Sequence, residues 1–298
     1  MVTYVLVHGA WHGGWCWQRV APLLREAGHS VLTPTLAGCG ERAALATPDT
    51  GLSSHCEELV GLLEREDVRD VVLVGPDYAA LVITGAADRV PERLNHLVYL
   101  DAPLPEAGQS WSDLVSPITR ATFETQIRGA GEGWRLPRPL MEHPFGVRNA
   151  EDAIWINEHL TDVPAKAWRE PLRLTNPARE QVPRTYIYCT GNPGTAAFAE
   201  RVRGDESGWR YRELATAHDA MISAPRELAD LLLHLELDRR CQLRGCYLSP
   251  AVSFAAIIAR RHHVERRRSR EHHLELPRNC LAGIRPPCRR RSKRAQVS

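Results

Sequence analysis

The sequence predicts an α/β fold in which helices cover both faces of a mostly parallel sheet. Short apolar runs alternate with helical segments from the first residue onward, as in parallel sheets whose strands are buried on both sides. Several of these runs end in turns that are rich in glycine and other small residues. A hydrophobic content of 43% is enough for one large core, so a single main domain accounts for most of the chain.

The individual elements follow from the same pattern. Strands are predicted over residues 2–7, 31–33, 70–74, 97–100, 185–190 and about 209–214. Helices are predicted over about residues 15–27, 54–66, 80–88 and 225–237. The second helix should begin at Ser54, because Ser54 and Glu57 have the spacing of a capping box.

Residues 102–183 interrupt the alternation. This stretch is rich in proline and contains four tryptophans, and it is too long for a simple connection between two strands. We expect it to form a helical lid over the carboxyl ends of the strands, where ligands bind in open α/β sheets. Its aromatic residues are equally suited to packing within the lid itself.

The charge distribution divides the chain in two. Residues 1–237 contain 22 Lys and Arg against 32 Asp and Glu, whereas residues 238–298 contain 16 against 4. We therefore predict a folded domain over residues 1–237 and a basic, disordered tail over residues 238–298. No folded recognition motif accompanies the basic residues, so nucleic acid is not the predicted partner.

The opening residues and the cysteines predict a cytoplasmic protein. The start of the chain lacks the basic segment, the apolar run and the cleavage site of a secretory signal. No stretch approaches the roughly 18 continuous apolar residues that would cross a bilayer. The eight cysteines lack paired or zinc-site spacing, which favours reduced thiols and predicts no metal.

A nucleophile elbow is the first predicted part of an active site. Residues 75–79 read GPDYA and join a predicted strand to a predicted helix. Such an elbow exposes one side chain at a strained turn, with small residues two positions before and after it. Asp77 occupies the exposed position, and the backbone N–H of Tyr78 would help to bind an oxyanion. The alternative is an ordinary turn in which Asp77 caps a helix.

Two further strand ends complete the constellation. The loop after the first strand begins HGAW, and the N–H of Ala10 in that loop is our candidate for the second oxyanion donor. His218 lies late in the chain, just before the last predicted helix, where the general base of α/β hydrolases is found. The order of nucleophile, acid and histidine along the chain is that of the α/β hydrolases.

Four sequence segments resemble the plant methylesterase and hydroxynitrile lyase group and its bacterial esterase relatives. They are VLVHGAWHGGWCW at residues 5–17, LLREAGH at 23–29, VYLDAP at 98–103 and AHDAM at 217–221. The resemblance covers residues 1 to about 237 and implies an α/β-hydrolase fold, no cofactor, and small esters or related molecules as substrates. The chain departs from that group at Asp77, where the family has serine, and at Asn192, where the family has aspartate.

These two substitutions change the reaction that we expect the site to catalyse. A carboxylate is a poor nucleophile towards an ester, but it attacks saturated carbon that carries a halide or an epoxide oxygen, forming an alkyl ester of the enzyme. His218 would then activate water to hydrolyse that ester. Asn192 is expected to accept the Nδ1–H of His218 through its side-chain oxygen. Asp101, at the end of a neighbouring strand, is the alternative acid.

Two other functions remain open from the sequence. Asp77 and His218 could form a proton-transfer pair in a lyase, cyclase or isomerase of secondary metabolism, acting on a small apolar or aromatic molecule. A ligand-binding protein without catalysis is the third alternative, although the retained His218 and oxyanion loop favour an enzyme.

Overall fold

The computed structural model describes residues 1–205 and 208–243, with side chains up to residue 235. By its internal contacts the chain divides into one unit over Met1–Glu236 and a second over Leu237–Ser298. Every candidate site residue lies in the first unit. The tail predicted over residues 238–298 lies almost entirely outside the described residues.

A six-stranded sheet forms the centre of the first unit. Its strands are β1 Thr3–Leu6, β2 Ser30–Leu32, β3 Val71–Pro76, β4 Leu94–Leu100, β7 Arg184–Cys189 and β8 Arg210–Leu214. They lie in the order β2-β1-β3-β4-β7-β8, and each neighbouring pair is parallel. All six predicted strands are present, and the predicted α/β fold with a parallel sheet is confirmed.

The described residues also contain nine α-helices, several of which pack against the sheet. They are α1 Ala21–Glu26, α2 Leu52–Arg65, α3 Ala79–Arg89, α4 Pro117–Arg128, α5 Ala150–His159, α6 Ala165–Arg169, α7 Ala196–Arg203, α8 Ala220–Ser223 and α9 Pro225–Leu243. Helix α3 follows β3 directly and buries ten of its eleven residues. This helix is therefore a fixed part of the core, and it holds the end of β3 in place.

Three predicted helix boundaries are wrong. The helix expected over residues 15–27 is a 3-10 turn over Gly14–Trp17 followed by the short α1. Helix α2 begins earlier than predicted, and Ser54 lies inside its first turn, where its Oγ accepts the Gly51 N–H at 2.9 Å. Helix α9 continues to Leu243, past the predicted end at residue 237. Local sequence signals do not fix helix ends to the residue.

The segment over residues 102–183, called the lid segment below, leaves the sheet after β4 and returns at β7. It contains α4, α5 and α6 and two short antiparallel strands, β5 Arg135–Leu136 and β6 Val163–Pro164. Trp168 is fully buried, and its ring lies 4.9 Å from that of Trp111. The centre of the Trp111 ring in turn lies 5.4 Å from the ring centres of both Tyr78 and Trp11. Aromatic packing thus connects the lid segment to the loops after β1 and β3.

Membrane-spanning helices and metal-ligand clusters are both absent from the described residues. None of the helices in that part of the chain is long and apolar enough to cross a bilayer. No group of His, Cys, Asp and Glu side chains within residues 1–205 and 208–235 is arranged to hold a metal ion.

Candidate active site

The candidate site lies at the carboxyl edge of the sheet. Because all six strands run in the same direction, the residues that follow them meet at one edge. Ala10 follows β1, Asp77 follows β3, Asp101 follows β4, Asn192 follows β7 and His218 follows β8. The sequence-predicted residues are therefore brought together by parallel pairing.

The turn at Asp77 has the geometry of a nucleophile elbow. Asp77 has φ +46°, a left-handed conformation that is uncommon for residues other than glycine. A side chain at position 75 would bring its Cβ within 2.9 Å of the Ala79 carbonyl oxygen, so only glycine fits there. The strained turn holds the half-buried Asp77 side chain at the end of β3.

The loop after β1 reaches the Asp77 carboxylate. The backbone N–H of Ala10 donates to Asp77 Oδ2 at 3.2 Å. Gly9 makes this approach possible, because a Cβ at that position would lie 3.3 Å from the Asp77 Cβ. Trp11, the next residue, has φ +62° and turns the loop away. One oxygen of Asp77 is thus bound by the amide that the sequence predicts as an oxyanion donor.

Tyr78 is fixed by its side chain as well as by its backbone. Its hydroxyl donates to His55 Nδ1 at 2.9 Å, and the other ring nitrogen of His55 donates to the Ala37 carbonyl at 2.9 Å. Burial raises the pKa of the Tyr78 phenol well above its usual value, so the hydroxyl stays protonated. The oxyanion role of the Tyr78 N–H remains a prediction.

His218 is held by Asp101. Its Nδ1 lies 2.7 Å from Asp101 Oδ2, and the Asp101 side chain is completely buried. Asp101 accepts four hydrogen bonds, which come from His218 Nδ1, Asn192 Nδ2, Thr195 Oγ1 and the Cys189 backbone N–H. A carboxyl group with this many donors is held firmly in one orientation. The residue given above as the alternative acid therefore makes the hydrogen bond to the histidine.

The structure contradicts the hydrogen bond expected between His218 and the Asn192 oxygen. Asn192 Oδ1 accepts the Gly194 N–H at 3.1 Å instead. Its Nδ2 donates to Asp101 Oδ2 at 2.6 Å and lies 3.2 Å from His218 Nδ1. Since the Nδ1 proton points to Asp101, that second contact joins two donors and is not a hydrogen bond. Asn192 thus supports the acid rather than replacing it.

The charge of His218 follows from its surroundings. Burial alone would lower its pKa, but the hydrogen bond and charge of Asp101 outweigh burial. Asp77 and Asp219 add to the effect, and the pKa rises from 6.5 to about 9. In the resting protein at neutral pH, His218 is therefore an imidazolium with Nδ1 bound to Asp101. Its Nε2 is the nitrogen left for chemistry.

Two other histidines of the loop after β1 were not singled out by the sequence. His8 is fully buried between the Gly9 carbonyl, 2.7 Å from Nδ1, and the Leu36 N–H, 3.0 Å from Nε2. Burial lowers the pKa of His8 to about 3, so this residue is neutral and structural. His12 forms a buried ion pair with Asp219 at 3.0 Å. The one sequence signal that pointed to His12 was its position within residues 5–17, the segment that resembles the esterase group.

The family model for alpha/beta hydrolases matches residues 4–231, and the chain belongs to that family. The chain is 36% identical over 242 residues to the carbendazim hydrolyzing esterase of Nocardioides sp. (strain SG-4G), covering 79% of this chain and 100% of that one. It is 27% identical over 254 residues to salicylic acid-binding protein 2 of Nicotiana tabacum, covering 78% and 96% of the two chains. The resemblance to plant methylesterases and bacterial esterases is confirmed.

Solved structures agree with this assignment. An extracellular α/β-hydrolase from a Paenibacillus species superposes with a TM-score of 0.68 at 25% identity, covering 78% of this chain and 98% of that one. Tomato methylketone synthase I, complexed with 2-tridecanone, has the same fold with a TM-score of 0.66 at 21% identity, covering 80% and 98%. The protein is thus an α/β-hydrolase-fold enzyme of the esterase-related group, and it acts on small molecules.

Proposed function

We propose that this protein is a hydrolase in which Asp77 is a covalent nucleophile towards a small, apolar or aromatic alkyl halide or epoxide. The observation that carries the proposal is the hydrogen bond from the Ala10 N–H to Asp77 Oδ2. This bond orients the carboxylate with one oxygen in the oxyanion hole. The other oxygen, Oδ1, is then the one that attacks carbon.

In the first step, Oδ1 forms a bond to the saturated carbon and the leaving group departs with the bonding electron pair. A halide leaves as the anion, whereas an epoxide oxygen takes up a proton from solvent. The product of this step is a neutral alkyl ester of Asp77. Trp111 of the lid segment lies with its ring centre 5.4 Å from that of Tyr78, so it brings an aromatic side chain next to the turn at Asp77, which favours an apolar or aromatic substrate.

The second step uses the same hydrogen bond. Oδ2 becomes the carbonyl oxygen of the ester and already faces the Ala10 N–H, which stabilises the negative charge that water attack places on it. Alkylation also removes the charge of Asp77, one of the causes that raise the pKa of His218. Because the pKa of His218 then falls, the imidazolium releases its Nε2 proton to solvent more readily. The neutral imidazole can now accept a proton from the attacking water while Asp101 holds its Nδ1 proton.

Ester hydrolysis through an acyl-enzyme is less well supported, although the name of the Nocardioides relative describes an esterase. Position 77 has no hydroxyl group, and a carboxylate that attacks an ester forms a high-energy anhydride. The change at position 77 is thus a change of reaction class. The rest of the apparatus for hydrolysing an ester, His218 with Asp101, is present.

A second candidate function is non-hydrolytic acid–base catalysis in a lyase, cyclase or isomerase. It is favoured by the pKa of about 9 at His218, which makes this residue a proton donor at neutral pH beside the Asp77 carboxylate. In that case both residues move protons and no covalent adduct forms. A ligand-binding protein without turnover is the third alternative.

Intact-protein mass spectrometry separates these functions. The His218→Gln protein is incubated with styrene oxide, 1-bromohexane or 4-nitrophenyl acetate, and the adduct is mapped to a peptide. We expect a stable ester on Asp77 from the epoxide or the bromide, and none from the matched Asp77→Asn/His218→Gln protein. The absence of any adduct with all epoxides and halides of a wider panel would refute the covalent route.

Labelled water provides the second test, in a single turnover of the unmodified enzyme. In the covalent route the product oxygen comes from Asp77, so the label from water is found on the Asp77 carboxylate. Label in the product with an unlabelled Asp77 would indicate direct attack by water. Turnover with label in neither place would indicate a lyase, cyclase or isomerase.

A further inference from the structure

His12 lies in the loop that carries the oxyanion amide, yet it contacts neither Asp77 nor the His218 ring through a hydrogen bond. Its side chain is 5% exposed, and the ring lies between two acceptors. Nδ1 is 2.7 Å from the carbonyl oxygen of Ala10, and Nε2 is 3.0 Å from Asp219 Oδ2. Asp219 is itself buried and directly follows His218 in the chain.

The geometry fixes the protonation of this histidine. A carbonyl oxygen and a carboxylate oxygen accept hydrogen bonds, so both ring nitrogens of His12 must donate. The ring is then an imidazolium, and its charge is compensated by Asp219 in a place from which water is excluded. Burial lowers the pKa of His12, but the charge and hydrogen bond of Asp219 outweigh burial and raise it above the usual value.

Other contacts hold the ring in this position. Trp15 stacks on it with ring centres 5.2 Å apart, and Phe145 of the lid segment lies 4.8 Å away. The bond to the Ala10 carbonyl closes the turn around Trp11, whose φ of +62° is unfavourable without support. His12 thus cross-links the loop after β1 to the loop after β8, which carry the oxyanion amide and the base.

We propose that His12 and Asp219 are positioning residues that hold the Ala10 N–H against Asp77 Oδ2, and so support the hydrolysis of the Asp77 ester. The proposal rests on the function proposed above. It assigns the pair a step-specific effect, because charge develops on Oδ2 when water attacks the ester and not when the ester forms. A pair that only stabilised the fold would affect both steps alike.

The step-specific effect is measured in single turnovers with styrene oxide, using intact mass to follow the Asp77 ester. His12→Phe keeps the ring packing and removes both N–H donors. We expect its ester hydrolysis to slow by about tenfold or more, a fraction of the effect of losing an oxyanion donor outright. Alkylation should slow much less than hydrolysis, because the attacking oxygen is Oδ1 and not the oxygen bound by Ala10, so the ester accumulates although His218 is intact.

Two further proteins provide the comparison. Asp219→Asn retains a side-chain oxygen that accepts the His12 Nε2–H, so its rate of ester hydrolysis should lie between those of the wild type and His12→Phe. His159→Phe is the matched control, because its exposed ring also lies beside Trp15, at 5.3 Å, without a hydrogen bond to Ala10. Equal slowing of both steps in His12→Phe, or no accumulation of ester, would overturn the proposal.

A second measurement does not depend on turnover and separates the two proposals. Nitrogen-15 NMR of the full chain at pH 7.5 should show both His12 ring nitrogens protonated. Hydrogen exchange of the Ala10 amide should be faster in His12→Phe than in His159→Phe. A singly protonated His12, or unchanged exchange at Ala10, would overturn the positioning role. Failure of styrene oxide and other electrophiles to modify Asp77 in any of these proteins would instead count against the covalent function.

Discussion

Replacing Asp101 by asparagine tests the central contact of the site. Asp101 is completely buried and binds His218 Nδ1 at 2.7 Å. An asparagine has the same shape, but its NH₂ group would face the Cys189 N–H in place of Oδ1, or Asn192 Nδ2 and His218 Nδ1 in place of Oδ2. In the second orientation His218 carries its proton on Nε2, and in both orientations the negative charge beside Nδ1 is lost. We expect turnover to fall by about 10³- to 10⁴-fold, as for a triad histidine held in the wrong tautomer.

The same change has a predictable effect on stability. The pKa of His218 is raised from 6.5 to about 9, a shift worth about 3 kcal/mol in favour of the folded protein. Because the folded-state pKa is the higher one, this contribution is complete below about pH 6.5. It declines as the pH rises from there and is lost above about pH 9. Asp101 is the first cause of the increase, so most of this pH dependence should disappear in Asp101→Asn.

Urea unfolding at pH 6 and at pH 9.5 measures the effect. Between these values the wild type should lose up to about 3 kcal/mol more unfolding free energy than Asp101→Asn, since all other groups titrate in both proteins. Asn192→Ala is the control, because it leaves the bond between His218 and Asp101 in place and should keep the wild-type pH dependence. Identical pH dependence in wild type and Asp101→Asn would refute the assignment of Asp101 as the acid.

Three further predictions concern other parts of the molecule. The wild type should be nearly inert towards 4-nitrophenyl acetate and should not be labelled by serine-directed phosphonates. The Asp77→Ser protein should gain both reactions, because the new serine lies beside an intact histidine and acid. An unlabelled, inactive Asp77→Ser protein would contradict the inferred elbow. Tyr78→Phe should lower the free energy of unfolding by about 1–3 kcal/mol, because it leaves the buried Nδ1 of His55 without a donor. An unchanged midpoint in thermal or urea unfolding would count against that contact. A chain that ends at Leu243 should fold and keep its activity, because the family match ends at residue 231 and the first compact unit ends at Glu236. An insoluble product would show that the tail completes the structure.

The elbow illustrates what could be predicted from local sequence. An apolar run, a glycine, an exposed polar residue and a small residue at fixed spacing are enough to indicate a strained strand-to-helix turn, because the steric limits act within five residues. The structure has this turn at Asp77, with φ +46°. The strands were predictable for a similar reason, since a strand buried on both faces is a continuous apolar run. Helix ends were less predictable than strands, as the first turn of α2 shows.

The acid is the clearest case in which sequence reasoning gave the wrong contact. Asp101 and Asn192 both follow strands whose ends adjoin, since β4 pairs with β7, and the sequence favoured Asn192 from its position in the family pattern. The pairing of strands put both side chains within reach of one histidine, and only the directions of their atoms distinguish them. The Gly194 N–H takes the Asn192 oxygen, which leaves Asp101 as the acceptor for His218.

By itself, the sequence determined the parallel α/β fold, the family, and the positions of Asp77, Ala10 and His218 at strand ends, because each depends on short-range pattern and on the order of elements. The tertiary structure decided which acid orients His218, and it disclosed the pair formed by His12 and Asp219. The physical reason is distance along the chain. His12 and Asp219 are 207 residues apart, and Asp101 and His218 are 117 apart. No local periodicity encodes contacts of that kind, which exist only once the parallel strands have brought their ends to one edge.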